Sequence, residues 1–178
     1  MKIFMKSLKE YIAEGLLDRV KNKEVNHEAI IKEFLKDNYK INGSYTIKGT
    51  KDGFVVDVKG YIKVINKDIT SLTNGLFEFG EVSGEFLCYY CKNLTSLEGA
   101  PEKVGGTFEC HNCKALTTLE GAPEKVGESF YCSECILLKT LKGAPKEVGG
   151  SFQSSNCGIE FTEEDVKKHT TVAKKIYI

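Results

Sequence analysis

The chain has 178 residues, 41% of them hydrophobic, which is enough for one ordinary domain or for a small module joined to a repeat array. Its 25 Lys and Arg residues balance 25 Asp and Glu residues, so the sequence lacks the strong positive charge of a typical nucleic-acid-binding protein. No run approaches the roughly 18 apolar residues that a membrane span needs. We therefore expect neither nucleic acid nor a membrane among the partners.

The first residues and the cysteines argue against secretion. The stretch "MKIFMKSLKEYIAEGLL" carries a charge every few residues where the apolar region of a signal peptide would lie. Seven cysteines in a chain without such a region favour free or metal-bound thiols over disulfides. We expect a reducing location and no export by a signal peptide.

Residues 1–40 are predicted to be helical. Asn26 is a candidate N-cap of a second helix, with Val25 and Ile30 placed to form a hydrophobic staple across it. Apolar residues recur at three- and four-residue steps, as on one face of a helix. They are Ile3, Phe4, Leu8, Tyr11, Ile12 and Leu16 in the first helix, and Ile30, Ile31, Phe34 and Leu35 in the second.

After residue 42 the pattern changes to that of β-strands. The segments "SYTIKG" and "FVVDVKGYIKVI" are rich in β-branched and aromatic residues, and Lys51-Asp52-Gly53 between them is typical of a hairpin turn. We assign residues 41–60 to a β cap.

A 22-residue repeat dominates residues 61–157. A fixed period of this length indicates a solenoid, in which the Gly and Pro of "EGAP" and "VGG" supply the turns. A degenerate copy, "ITSL" at residues 69–72, extends the array to about four turns. The recurring residues include Phe86, Phe108, Phe130 and Phe152; Cys91, Cys113, Cys135 and Cys157; Leu97, Leu119 and Leu141; and Pro101, Pro123 and Pro145.

The predicted fold class is α+β. N-terminal helices precede a β-solenoid or leucine-rich-repeat-like array, and the absence of a helical pattern between repeats favours a flat, all-β coil. Solenoids need terminal caps, and residues 158–178 are assigned to the second one. Within it, Thr162 is a candidate N-cap of a short helix, and "KKIYI" is a candidate strand.

The cysteines allow two interpretations. Successive CxxC pairs are separated by 18 residues, as in zinc ribbons, but three pairs do not divide into four-cysteine sites. The pattern FxCxxCxxLxxL instead matches the leucine-rich-repeat frame, whose Asn/Cys position points inward and bonds the backbone. We predict stacked buried thiols and no cofactor, with a zinc-stabilised module as the alternative. The alternative ligands are Cys88, Cys91, Cys110, Cys113, Cys132 and Cys135.

The outward side of the repeat strands is the candidate binding surface. Because side chains alternate along a strand, inward Phe86 and Cys88 leave Leu87 and Tyr89 facing outward. The outward residues change from repeat to repeat, which fits either a solvated surface or a protein-binding face. The predicted face, called the outer face below, consists of Leu87, Tyr89, Glu109, His111, Tyr131, Ser133, Gln153 and Ser155.

An enzyme is the class that the sequence supports least. The histidines are His27, His111 and His169. His111 lies next to Cys110 and Cys113, but spacing places no carboxylate or serine beside it, so a catalytic triad is not indicated. We expect no catalytic site.

Two resemblances give a biological setting. "VINKDITSL", "FGEVSGEFLCYYCKNLTSLEGAPEKVGGTFEC" and "FTEEDVKKHTTVAKKIYI" resemble a family of small leucine-rich-repeat-like proteins of tailed bacteriophages, over roughly residues 41–178. In addition, "MKSLKEYIAEG" is similar to the capsid-targeting peptide of internal head proteins in T-even-type phages. That similarity implies recognition of Ile12-Ala13-Glu14 and cleavage before Gly15, although four residues precede Met5 where the pattern begins with Met.

The functional expectation combines these features. We expect a non-enzymatic phage accessory protein that binds another protein through the outer face, is packaged in the head, is trimmed after Glu14, and is delivered to the host. The alternatives are a phage scaffold protein of the host cytoplasm that is never packaged, and the zinc-stabilised module.

Overall fold

A computed structural model describes residues 26–178. The predicted first helix, Val25 and the processing residues Ile12, Glu14 and Gly15 lie outside the described residues and stay predictions. Within the described part, the chain forms a parallel β-solenoid with few helices, which confirms the predicted solenoid. Between residues 26 and 178, no helix is long and apolar enough to cross a membrane.

Helix α1 (His27–Asn38) closes the first end of the core. As predicted, Asn26 is its N-cap, and the Asn26 side-chain oxygen accepts a hydrogen bond from the Ala29 N–H at 3.0 Å. Phe34 packs edge-on against Phe77, with ring centroids 6.0 Å apart. The buried residues of the predicted apolar stripe are Ile31, Phe34 and Leu35.

A long antiparallel hairpin follows the helix. Strands β1 (Tyr39–Thr50) and β2 (Gly53–Val64) pair along their whole length, with the predicted turn between them. Gly43 lies opposite Gly60, where the strands approach so closely that a Cβ atom on either residue would be 2.0 Å from a carbonyl oxygen of the other strand. The hairpin thus joins the helical cap to the repeats.

The repeats form two parallel columns of short strands that share β2 as their first rung. Residues Val55–Val58 of β2 pair with β3 (Glu78–Val82), and Ile62–Lys63 pair with β4 (Phe86–Leu87). The first column continues through β5 (Lys103–Val104), β7 (Lys125–Val126), β9 (Glu147–Val148) and β11 (Thr171–Val172). The second column continues through β6 (Phe108–Glu109), β8 (Phe130–Tyr131), β10 (Phe152–Gln153) and β12 (Ile176–Tyr177).

Glycines make the close stacking of coils possible. A Cβ atom on Gly127, at the bend between the two columns, would lie 2.1 Å from the carbonyl oxygen of Gly105 in the coil below. In the "EGAP" turn, Gly121 has a φ of +86°, which glycine adopts at little cost. The predicted role of these motifs as turns is consistent with this geometry.

The core is a set of ladders running along the solenoid axis. Rings of Phe86, Phe108, Phe130 and Phe152 stack at centroid distances of 5.2–5.3 Å, and each ring is fully buried. The leucines of every coil are buried beside them, so the predicted inward assignment is confirmed. These leucines are Leu94, Leu97, Leu116, Leu119, Leu138 and Leu141.

The second end of the core is covered by helix α2 (Glu163–His169). Thr162 caps it in a capping box with Asp165, and Val166 is fully buried. The chain then adds β11 and β12, so the predicted C-terminal cap also supplies the last rung of both columns. Within residues 26–178, each column has six rungs, more than the four or so predicted turns, because the terminal strands pair through the backbone without the repeated Phe and Cys.

Candidate protein-binding face

The outer face lies on the second column of strands. Register pairing sets Leu87 beside Glu109, Glu109 beside Tyr131, and Tyr131 beside Gln153. A second row runs next to it through Tyr89, His111, Ser133 and Ser155, which are joined coil to coil by backbone hydrogen bonds of the residues that follow them. The structure therefore places the eight predicted residues in two neighbouring rows on one strand column, although their exposure differs.

An aromatic cluster, defined as Tyr89, Tyr90 and His111, occupies the first two repeats of this surface. The Tyr89 ring stacks on the His111 ring with centroids 5.0 Å apart and planes 14° apart. Tyr90 meets both rings edge-on, at 5.7 Å from Tyr89 and 5.3 Å from His111. Tyr90 is 52% exposed, so the cluster presents aromatic surface to solvent while its rings support one another.

Two lysines complete the surroundings of Tyr89. The Lys63 and Lys67 ammonium groups lie 4.9 Å and 4.5 Å from the centroid of the Tyr89 ring, within cation–π range. Lys67 also donates a hydrogen bond to the Tyr89 carbonyl oxygen at 2.6 Å, and a side-chain hydrogen bond to Tyr89 raises the pKa of Lys63. Glu109 adds one carboxylate, 3.8 Å from Nδ1 of His111. The Tyr89 side chain is therefore held in one orientation from several sides.

The later repeats present a different surface. Ser133 was predicted to be exposed, but it is only 8% exposed, and its hydroxyl lies 3.2 Å from the Ser155 hydroxyl. Ser133 is buried for a steric reason. Serine is too short to extend past the neighbouring side chains, so an outward direction alone does not expose it. Tyr131 and Gln153 are half-buried.

Three members of this surface were not predicted from the sequence: Tyr90, Lys63 and Lys67. Tyr90 has a φ of +59°, and the residues at the same place in later coils are also in the left-handed region. Because this conformation ends the strand, simple alternation could not show where the Tyr90 side chain lies. The Asn residues at two equivalent positions were an available signal, since Asn tolerates positive φ. Those equivalents are Asn112, Glu134 and Asn156.

The cysteines follow the strands of the second column and form a ladder on the inner side, buried except for the half-buried Cys157. The thiol of Cys113 donates to the Cys88 carbonyl oxygen at 3.1 Å, and Cys135 donates to the Cys110 carbonyl oxygen at 3.2 Å. The predicted bonding of these thiols to the backbone is thus observed. Within residues 26–178, which include every cysteine, no three His, Cys, Asp or Glu side chains are grouped so that they could hold a metal ion.

Burial also affects the chemistry of these thiols. It raises the pKa of Cys88 and Cys110 well above that of a free thiol, and it raises the pKa of Cys135 to about 12. These three thiols are therefore protonated at neutral pH, whereas the thiolate is the form that binds zinc or acts as a nucleophile. Hydrogen bonds with Cys113 and Cys132 lower the pKa of Cys91 and Cys157, respectively. The arrangement favours a packing role for the ladder.

A shallow groove of about 670 Å³ lies along the first column of strands. Several of its lysines are engaged in ion pairs: Lys48 with Asp57 at 2.6 Å, and Lys103 with Glu81 at 3.1 Å. Its glycines are explained by the stacking of the coils. The groove therefore offers less to a ligand than the outer face does.

Comparison with protein-family models, with curated proteins and with solved structures found no match to this chain. The resemblance to bacteriophage repeat proteins accordingly stays a prediction. The geometry of the outer face is therefore the main indication of function.

Proposed function

We propose that this protein is a non-enzymatic scaffold that binds another protein through its outer face. The observation that supports this proposal best is the aromatic cluster. Tyrosine is enriched among the residues that dominate binding energy at protein interfaces, because it buries a large area with few rotatable bonds. The cluster belongs to the first two repeats, and the equivalent second-row positions of the next repeats are the small residues Ser133 and Ser155.

Rigidity of the cluster supports the same function. Tyr89 is stacked on His111 and covered by two lysine ammonium groups, and its backbone belongs to a stack of coils with a fully buried core. Side chains that are already ordered lose little conformational entropy when a partner binds. A binding surface built on such strands is thus prepared before the partner arrives.

The resemblance to phage proteins supports a setting for this scaffold. In it, the protein is packaged in the phage head, trimmed after Glu14 and delivered to the host with the DNA. The alternative is a phage protein of the infected cytoplasm that is never packaged. Mass spectrometry of purified phage particles distinguishes them: a chain beginning at Gly15 is expected of the packaged protein, and absence of the protein from the particles supports the alternative.

The binding function is tested with the variant Tyr89→Ser/His111→Ser, which copies the residues at the equivalent positions of later repeats. The immobilised chain is incubated with host extract, and the retained proteins are identified by mass spectrometry. We expect specific proteins to be retained by the natural chain and lost from the variant. The matched control is Lys51→Ala/Asp52→Ala in the exposed hairpin turn, outside the outer face, which should retain them.

Two results would contradict this function. Equal retention by the natural chain and the Tyr89→Ser/His111→Ser variant would show that the cluster does not bind a partner. A loss of more than about 1 kcal/mol in the free energy of unfolding of that variant would assign the cluster a structural role. The backbone contact between Lys67 and the Tyr89 carbonyl oxygen is kept in the variant, so we expect a smaller loss.

A further inference from the structure

An aliphatic patch lies on a different part of the solenoid from the outer face. It consists of Ile136, Leu137 and Ile159, whose exposed fractions are 54%, 49% and 45%. These residues follow the left-handed turns that end the strands of the second column. Contiguous exposed apolar patches often mark sites of interaction with another protein.

The three residues are neighbours in space as well as in the repeat. Leu137 and Ile159 are 22 residues apart and thus occupy equivalent positions of successive coils. The backbone confirms their proximity: the Gly158 N–H donates to the Leu138 carbonyl oxygen at 2.9 Å. A Cβ atom on Gly158 would also lie 2.9 Å from the Ile136 carbonyl oxygen. The patch is therefore continuous across two coils.

Other repeats show that the fold does not require this patch. The positions of Ile136 and Leu137 are occupied by Lys92 and Asn93 in one earlier coil, and by Lys114 and Ala115 in the next. Lysine at the first position and a small or polar residue at the second are thus compatible with the same backbone. The fold therefore does not require aliphatic side chains at these two positions.

Two charges of opposite sign adjoin the patch. Lys139 lies two residues after Leu137, and Glu160 follows Ile159; both are exposed, and neither forms an ion pair within residues 26–178. Lysines elsewhere on the repeats do have carboxylate partners, such as Lys142 with Glu120 at 2.7 Å. A surface that carries one positive and one negative group can pair with a copy of itself about a two-fold axis, so that each group meets its opposite in the other copy.

We propose that the aliphatic patch binds the same patch of a second copy of this chain, with Lys139 of each copy facing Glu160 of the other. Burial of the aliphatic side chains drives the association, and the two reciprocal ion pairs set the orientation. This symmetric dimer leaves the outer face free to bind its own partner. It is independent of the proposed function, since the two surfaces share no residue.

The test is sedimentation equilibrium of the full chain, in reducing buffer, from about 1 µM to about 1 mM, which covers weak to moderate affinities. We expect the average mass to rise from 19.8 kDa towards twice that value. The variant Ile136→Lys/Leu137→Asn, which copies an earlier coil, should raise the dissociation constant at least about tenfold, the equivalent of about 1.4 kcal/mol. Its melting temperature in dilute solution should not change.

Charge exchange tests the orientation. Lys139→Glu alone places two like charges together and should weaken the dimer, whereas Lys139→Glu/Glu160→Lys should restore it, a rescue that a merely unfolded variant could not show. The outer-face variant Tyr89→Ser/His111→Ser should dimerise as the natural chain does. A protein that stays monomeric throughout the range, an association that the patch variant does not weaken, or a mass beyond two copies would each overturn the proposal.

Discussion

The two sides of one strand column behave differently along the solenoid. On the inner side, Phe86, Phe108 and Phe130 repeat without change and stack with centroids 5.3 Å apart. On the outer side, the residues next to them in sequence change from Leu87 to Glu109, an apolar residue followed by a charged one. Both sides share the same backbone and the same register.

The difference follows from what each side contacts. An inward side chain packs against its own copies above and below, so a change in one coil would leave a cavity or a clash in two neighbours. An outward side chain meets solvent or a partner, and the coil tolerates whatever that surface requires. Constancy along the axis therefore indicates packing, and variation indicates the surface where function can be located.

The variant with the largest expected effect on stability truncates one of the stacked inner leucines. Leu119 is fully buried, so Leu119→Ala should lower the free energy of unfolding by about 2–5 kcal/mol through lost burial and a remaining cavity. Leu137→Ala is the matched control, since Leu137 is 49% exposed and the same truncation should change stability by less than about 0.5 kcal/mol. Urea denaturation of dilute protein measures both. Similar losses of unfolding free energy for the two variants would mean that Leu119 and Leu137 do not differ in burial as assigned.

The next test concerns the contact between coils. In Gly127→Ala, the new Cβ atom would lie 2.1 Å from the Gly105 carbonyl oxygen, so the coils must separate, and we expect a loss of about 1–3 kcal/mol. In Gly49→Ala, on strand β1, the closest atom would be a ring carbon of Phe54 at an ordinary 3.9 Å, and we expect a change within about 0.5 kcal/mol. Thermal melting followed by circular dichroism compares the two. Equal melting temperatures would mean that the coils are less tightly stacked than the 2.1 Å approach at Gly127 requires.

Much of the solenoid could be predicted because the same residues recur every 22 positions. The 22-residue period identified the inward Phe, Cys and Leu positions, and local chemistry identified Asn26 and Thr162 as helix caps. The number of rungs could not be predicted, since β2 and β12 join the columns by backbone pairing and do not carry the repeated side chains. Pattern recognition finds the middle of such an array more easily than its ends.

The outer face was predicted in position but not in detail. Alternation placed Tyr89 and His111 on one surface, yet it could not place Tyr90, whose left-handed backbone interrupts the strand. Nor could it show that Lys67, from the connection between β2 and β3, reaches the Tyr89 ring. Such contacts depend on the three-dimensional path of the chain and leave no period in the sequence.

The variant with the smallest expected effect on stability changes an inner position at which one coil lacks the repeated residue. Ser154 occupies the place of Cys110 and Cys132, is 2% exposed, and its hydroxyl has no hydrogen-bond partner among the described residues. Burying such a hydroxyl costs about 1–3 kcal/mol, while a thiol behaves as a small apolar group, so Ser154→Cys should stabilise the protein by about 1 kcal/mol. Ser133→Cys is the control, because the Ser133 hydroxyl already contacts Ser155 and its replacement should bring no gain. Urea denaturation in reducing buffer measures both variants. If Ser154→Cys left stability unchanged or lowered it, the cysteine ladder would not extend into this coil, and the serine would mark the point where the repeated core gives way to the terminal cap.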